Sequence, residues 1–143
     1  MASVRKEIVI DVPPEEAWDA LRDWGAVHQR LAPGFVTDAR LDGEDRIVTF
    51  GDGSMARERF VHLDEEARRL VWSVAEWHFT HHNGAAQVFA ADDGRTRFVW
   101  TADFLPHGIA SRIEDAMDRG MAIIKQTLEA RSARSSRAYD RSG

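Results

Sequence analysis

At 143 residues, with 43% hydrophobic and 30% charged side chains, the chain has the size and balance of one globular domain that can bury a core without disulfides or a structural metal. The absence of cysteine excludes disulfides, thiolate metal ligands and cysteine nucleophiles, and it fits a reducing compartment, so a cytoplasmic location is expected. A net charge of −5 argues against a nucleic-acid partner, which calls for a basic face.

Val4, Ile8, Ile10 and Val12 alternate with Arg5, Glu7 and Asp11, which predicts a half-buried first strand stopped by Pro13-Pro14. No apolar h-region follows Arg5 and Lys6, and no run is long enough to cross a bilayer, so neither secretion nor membrane insertion is expected. Pro14 suits the first turn of a helix, Glu15 and Glu16 favour its positive end, and Ala17, Trp18, Leu21 and Trp24 follow at helical spacing. Gly25 interrupts that helix, and a second short one carrying Val27 and Leu31 runs to Pro33-Gly34.

From Phe35 the period becomes that of strands, with runs at 35–41, 46–50, 55–63, 70–77, 85–91 and 96–104 separated by short turn segments. Gaps this short join antiparallel neighbours, because a parallel crossover needs about a dozen residues or more. After Leu105-Pro106 the helical period returns, and Ile113, Met117, Met121, Ile124 and Leu128 form one apolar stripe beside Ala116 and Gly120. A stripe of that length is buried only against the concave face of the sheet. The expected fold class is therefore α+β, a curved seven-stranded antiparallel sheet wrapped around a long C-terminal helix, with two short helices after the first strand. A single domain over 1–131 is expected. Residues 132–143, with Arg134, Arg137 and Arg141 among Ser, Ala and Gly, read as a disordered tail.

The residues Ala17-Trp18-Asp19-Ala20-Leu21-Arg22-Asp23-Trp24, Arg57-Glu58-Arg59-Phe60-Val61-His62-Leu63-Asp64, Val71-Trp72-Ser73-Val74-Ala75-Glu76 and Phe98-Val99-Trp100 carry a family likeness. Over about residues 3–130 the chain resembles the START-like or Bet v 1-like (SRPBCC) superfamily, in its bacterial polyketide cyclase/dehydrase-like branch. The resemblance implies a helix-grip fold with a cavity between sheet and C-terminal helix, hydrophobic ligands, and no tightly bound organic cofactor. It does not choose between a carrier or sensor, a cofactor-independent cyclase, dehydratase or isomerase, and a co-chaperone-like surface adaptor. The oligomeric state stays open, a homodimer included.

Leu70, Trp72 and Val74 share a strand face, and Glu76 continues it, so a carboxylate stands on the apolar side. If Leu63 pairs with Leu70, Arg57 lies opposite Glu76 with Arg59 one step diagonal; a shift by one residue substitutes Glu58 and turns both arginines outward. The resemblance extends to plant lachrymatory factor synthase-like proteins, whose arginine–glutamate dyad it places at Arg59 and Glu76. Trp72 and Trp100 are expected to touch the ligand, and Ile113, Met117 and Met121 to form a flexible apolar wall. His78, His81 and His82 lack the converging partners of a metal site, so no metal is expected. No phosphate loop, nucleophile elbow or activated serine is present in the sequence.

Overall fold

In the computed structural model the backbone is described for residues 1–142, and side chains for all of these except Glu76 and 136–142. The apolar alternation of the N-terminal segment forms β1 (Ala2–Ile10), and Pro13-Pro14 ends it. With Pro14 at its first position and Glu15 and Glu16 in its first turn, α1 (Pro14–Leu21) buries Ala17, Trp18, Ala20 and Leu21. The second short helix expected from the sequence is a 3₁₀ turn at Trp24–Ala26 followed by a single π turn at Val27–Leu31. The Ala32 amide closes the π turn on the Val27 carbonyl at 2.9 Å, and Pro33-Gly34 ends the segment.

The strands β2 (Val36–Asp42), β3 (Asp45–Phe50), β4 (Met55–Asp64), β5 (Arg69–Glu76), β6 (His81–Ala90) and β7 (Thr96–Leu105) form an antiparallel meander, and β1 joins it beside β7. The sheet order is β1-β7-β6-β5-β4-β3-β2. Helix α2 (Ala110–Ser142) crosses its concave face, burying Ile113, Met117, Met121, Ile124 and Leu128. This is the helix-grip fold. Its helical backbone continues through Ser142, so residues 132–135 are helix rather than the expected tail; the rest of that expectation falls on 136–143, whose side chains lie outside the described residues.

Polar contacts fasten α2 by its edge rather than its stripe. Lys6 on β1 reaches Glu114 at 3.2 Å and Asp118 at 3.1 Å, and Glu129 accepts from the Asp11 amide at 2.8 Å. At the other end of the sheet, Glu65 in the β4–β5 turn accepts from Trp18 Nε1 and Arg22 Nε, each at 2.7 Å, and so ties α1 down. These two donors hold the Glu65 carboxyl below its ordinary value.

The β4–β5 pairing decides which side chains face the cavity. Leu63 stands opposite Leu70 and Arg57 opposite Glu76, but Val61 on β4 and Ala75 on β5 are extra residues between these points. Each bulge reverses the alternation. Between them Phe60 therefore pairs with Trp72 and Glu58 with Val74 on the inner side, while Arg59 pairs with Ser73 on the outer side.

Candidate ligand-binding site

Between the sheet and α2 lies a cavity of about 490 Å³. Its walls come from β3 to β7, the π turn and α2, and its buried lining includes Leu31, Leu70, Ala86, Phe98 and Met117. Aromatic rings run along it in succession. Ring centroids are 6.5 Å apart from Trp72 to Trp100 and from Trp100 to Phe35, 5.8 Å from Phe35 to Phe50, and 6.2 Å from Phe50 to Trp77. Two glycines make this wall possible. A Cβ on Gly84 would sit 2.9 Å from Trp72 Cε2, and one on Gly120 would sit 2.9 Å from Trp100 Cζ3, so the backbones of β6 and α2 approach the indoles as only glycine permits.

Of the residues singled out in the sequence, Trp72, Val74, Trp100, Ile113 and Met117 line this one cavity. Met121 is buried in the adjoining core instead of lining the cavity, although Ile123 and Ile124 further along α2 reach it. Arg59 is exposed opposite Ser73, turned out by the bulge at Val61. Arg57 is also outside the lining, on the side of its register partner Ile47, and pairs with Asp42 at 2.9 Å and Asp45 at 3.1 Å. The Glu76 backbone pairs with Arg57, but its side chain lies outside the described residues.

A buried arginine–glutamate pair does stand in the cavity, made by different residues. Arg46 on β3 is paired in register with Glu58 on β4, and its Nε donates to Glu58 Oε1 at 2.7 Å. Arg46 Nη1 donates to the Trp24 carbonyl at 3.0 Å, and the guanidinium lies 3.7 Å from the Trp24 ring centroid. The side chains are 7% and 11% exposed, so both charges are withdrawn from water and compensate each other. The signal was present in the sequence: Arg46 continues the face of Val48 and Phe50, and Glu58 that of Ala56 and Phe60, as Glu76 continues that of Trp72 and Val74.

His82 is the other titratable group on the wall. Its Nδ1 accepts from the Val74 amide at 3.2 Å, which leaves the ring proton on Nε2, and its ring lies 4.7 Å from that of Phe79. Burial, aided by the charge of neighbouring His81 and opposed by Asp103, lowers its pKa from 6.5 to about 4. His82 is thus neutral near pH 7, whereas His78 and His81 are exposed. Among the described residues no three His, Cys, Asp or Glu side chains gather to hold a metal ion. The indole Nε1 groups of Trp77 and Trp100 are buried with no hydrogen-bond partner among the described residues.

The exposed lining residues mark the mouth. They are Gly51 and Asp52 in the β3–β4 turn, Gly34, and Arg112 and Arg119 on α2. Asp52 accepts from the Ser54 amide at 2.9 Å and the Ser54 hydroxyl at 2.6 Å, which holds its carboxyl below the ordinary value, with a smaller contribution from the Arg112 charge. Arg46 and Phe50 occupy opposite ends of β3, roughly 13 Å apart, so the ion pair closes the end remote from the mouth.

Among the described residues no helix is long and apolar enough to cross a membrane. Among solved structures, the chain is similar to an uncharacterized protein of Bacillus thuringiensis, with a TM-score of 0.79 at 15% identity over 89% of this chain and 98% of that one. It is similar to the protein XoxI from Bacillus cereus, with a TM-score of 0.76 at 18% identity over 93% and 96% of the two chains. A protein from Thermobifida fusca, solved by solution NMR, gives a TM-score of 0.74 at 29% identity over 94% and 95%. No curated protein matches. The family model described as polyketide cyclase / dehydrase and lipid transport matches residues 1–129, and the chain belongs to that family.

Proposed function

We propose that this chain binds a small hydrophobic or aromatic molecule, of polyketide, lipid or terpenoid type, and acts as its carrier or sensor. The observation that carries this reading is the cavity of about 490 Å³, lined by aromatic and aliphatic side chains and reaching the surface at one rim. Small-molecule sites are commonly of roughly 300–1,000 Å³ with a mainly apolar wall and few polar groups. The family description, which includes lipid transport, supports it. A second reading, a cofactor-independent enzyme of the cyclase or dehydratase type, draws on neutral His82 and on Glu58 at the wall, which supply a hydrogen-bond donor and a carboxylate.

Native mass spectrometry of the purified protein, followed by solvent extraction, tests the binding reading. It calls for a co-purified molecule released on denaturation, or saturable uptake of a neutral apolar probe. A protein that carries nothing and takes up no probe while folded would overturn both cavity readings and favour a surface adaptor.

A further inference from the structure

We infer that the occupant of this cavity is an amphipathic acid, an apolar body with an anionic head held at the mouth by Arg112 and Arg119. The inference rests on the cavity being a binding site and specifies what it takes. Arg112, Ala116 and Arg119 all line the cavity. Their spacing of four and three residues puts them on one stripe of α2, with the arginines two turns and about 10 Å apart. Ala116 between them leaves a gap at the rim rather than a plug.

The charges of α2 are divided between its two edges. Glu114 and Asp118 are engaged by Lys6 on β1, and Glu129 by Lys125 and the Asp11 amide. Toward the mouth the helix presents two guanidiniums, with the exposed Asp115 three residues after Arg112 and four before Arg119, and neither arginine is in an ion pair among the described residues. Arg112, though exposed, lies 5.8 Å from the Trp77 ring centroid, a long cation–π contact that ties it to the rim. The carboxylate across the rim, Asp52, is already occupied by two hydrogen bonds within its own turn. At the rim two arginines without ion-pair partners among the described residues thus stand over an apolar cavity whose internal pair, Arg46 and Glu58, is self-compensated. A neutral ligand would leave these arginines unused, whereas a carboxylate meets a planar donor fork suited to it.

The test uses the full chain and N-phenyl-1-naphthylamine, a neutral fluorescent probe, displaced in parallel by dodecanoic acid and by methyl dodecanoate at monomeric concentrations. The acid should displace the probe at roughly fivefold or more lower concentration than the ester, as expected for two partly exposed charge contacts. That ratio should shrink with added salt and fall toward one in Arg112→Gln/Arg119→Gln, whose folding is checked by circular dichroism. Because the ratio is read within each protein, a change in overall affinity does not disturb it. Equal displacement by acid and ester in the wild type, or a ratio unmoved by the double substitution, overturns the inference while leaving the cavity reading intact. Failure of the probe to bind the wild type overturns both.

Discussion

Two sets of charged residues bound the same cavity and behave oppositely. At the closed end Arg46 and Glu58 are buried and bonded to each other, and Arg46 also donates to the Trp24 carbonyl and lies against the Trp24 ring. At the mouth Arg112 and Arg119 are exposed and without carboxylate partners among the described residues. The contrast separates charges that specify the fold from charges that remain available to a ligand. A buried ion pair gains little over a well-packed apolar pair, but losing one member leaves an uncompensated charge. An exposed arginine contributes little to folding and keeps its donors for whatever arrives.

The largest effect should therefore come from breaking the closed end. Arg46→Met is expected to cost about 3–5 kcal/mol of stability in urea unfolding, and Arg46→Met/Glu58→Met to regain most of it. Equal losses in the single and double variants would mean that the pair is not mutually compensating. His82, which bonds the Val74 amide beside Glu58, should give the next effect. Its folded pKa of about 4 lies below the unfolded 6.5, so its contribution is fully present above pH 6.5 and is lost as the pH falls through about 4. The full span is worth up to about 3 kcal/mol, less where water hydrates the ring. Thermal melts of wild type and His82→Gln between pH 7 and 4 should converge on acidification.

Gly120→Ala places a methyl against Trp100, at a cost of about 1–3 kcal/mol for overpacking, offset by roughly 1 kcal/mol of helix propensity. A small net loss in Tm, with weaker binding of the neutral probe, is the expected outcome. Smallest of all, Arg112→Gln and Arg119→Gln should each stay within about 0.5 kcal/mol of the wild type in stability. A large loss at either would place the mouth arginines with the structural charges and dissolve the contrast.

Strand and helix positions were legible because alternation and the 3.6-residue stripe are local signals: the observed strands follow the predicted runs within a residue or so except β6, which begins at His81 rather than 85, and the stripe from Ile113 to Leu128 is buried as its spacing implies. The π turn was not legible, since five residues hold too little periodicity to choose among helix types. Wall residues such as Trp72 and Trp100 followed from strand parity alone. The arginine–glutamate pair was expected at the wrong residues, because parity counted back from Leu63 faces Arg59 inward, whereas the bulge at Val61 reverses it and puts Glu58 inside with Phe60 and Ala56. A register can be right at both ends of a hairpin, at Leu63–Leu70 and Arg57–Glu76, and still be inverted between them. The mouth arginines escaped notice for a different reason: polar residues beside an apolar helix stripe read as solvated, and only the tertiary fold sets an opening beneath them.

The central claim is that the space between sheet and α2 holds an apolar molecule, and the most direct measurement is a fluorescence titration of N-phenyl-1-naphthylamine into wild type and Ala116→Trp. Ala116 lines the cavity at the mouth, partly exposed, where an indole would fill the opening without invading the core. The wild type should take up one probe per chain saturably, and the plugged variant, folded by circular dichroism, should not. Absence of saturable uptake by the folded wild type, or equal uptake by both proteins, would contradict the account.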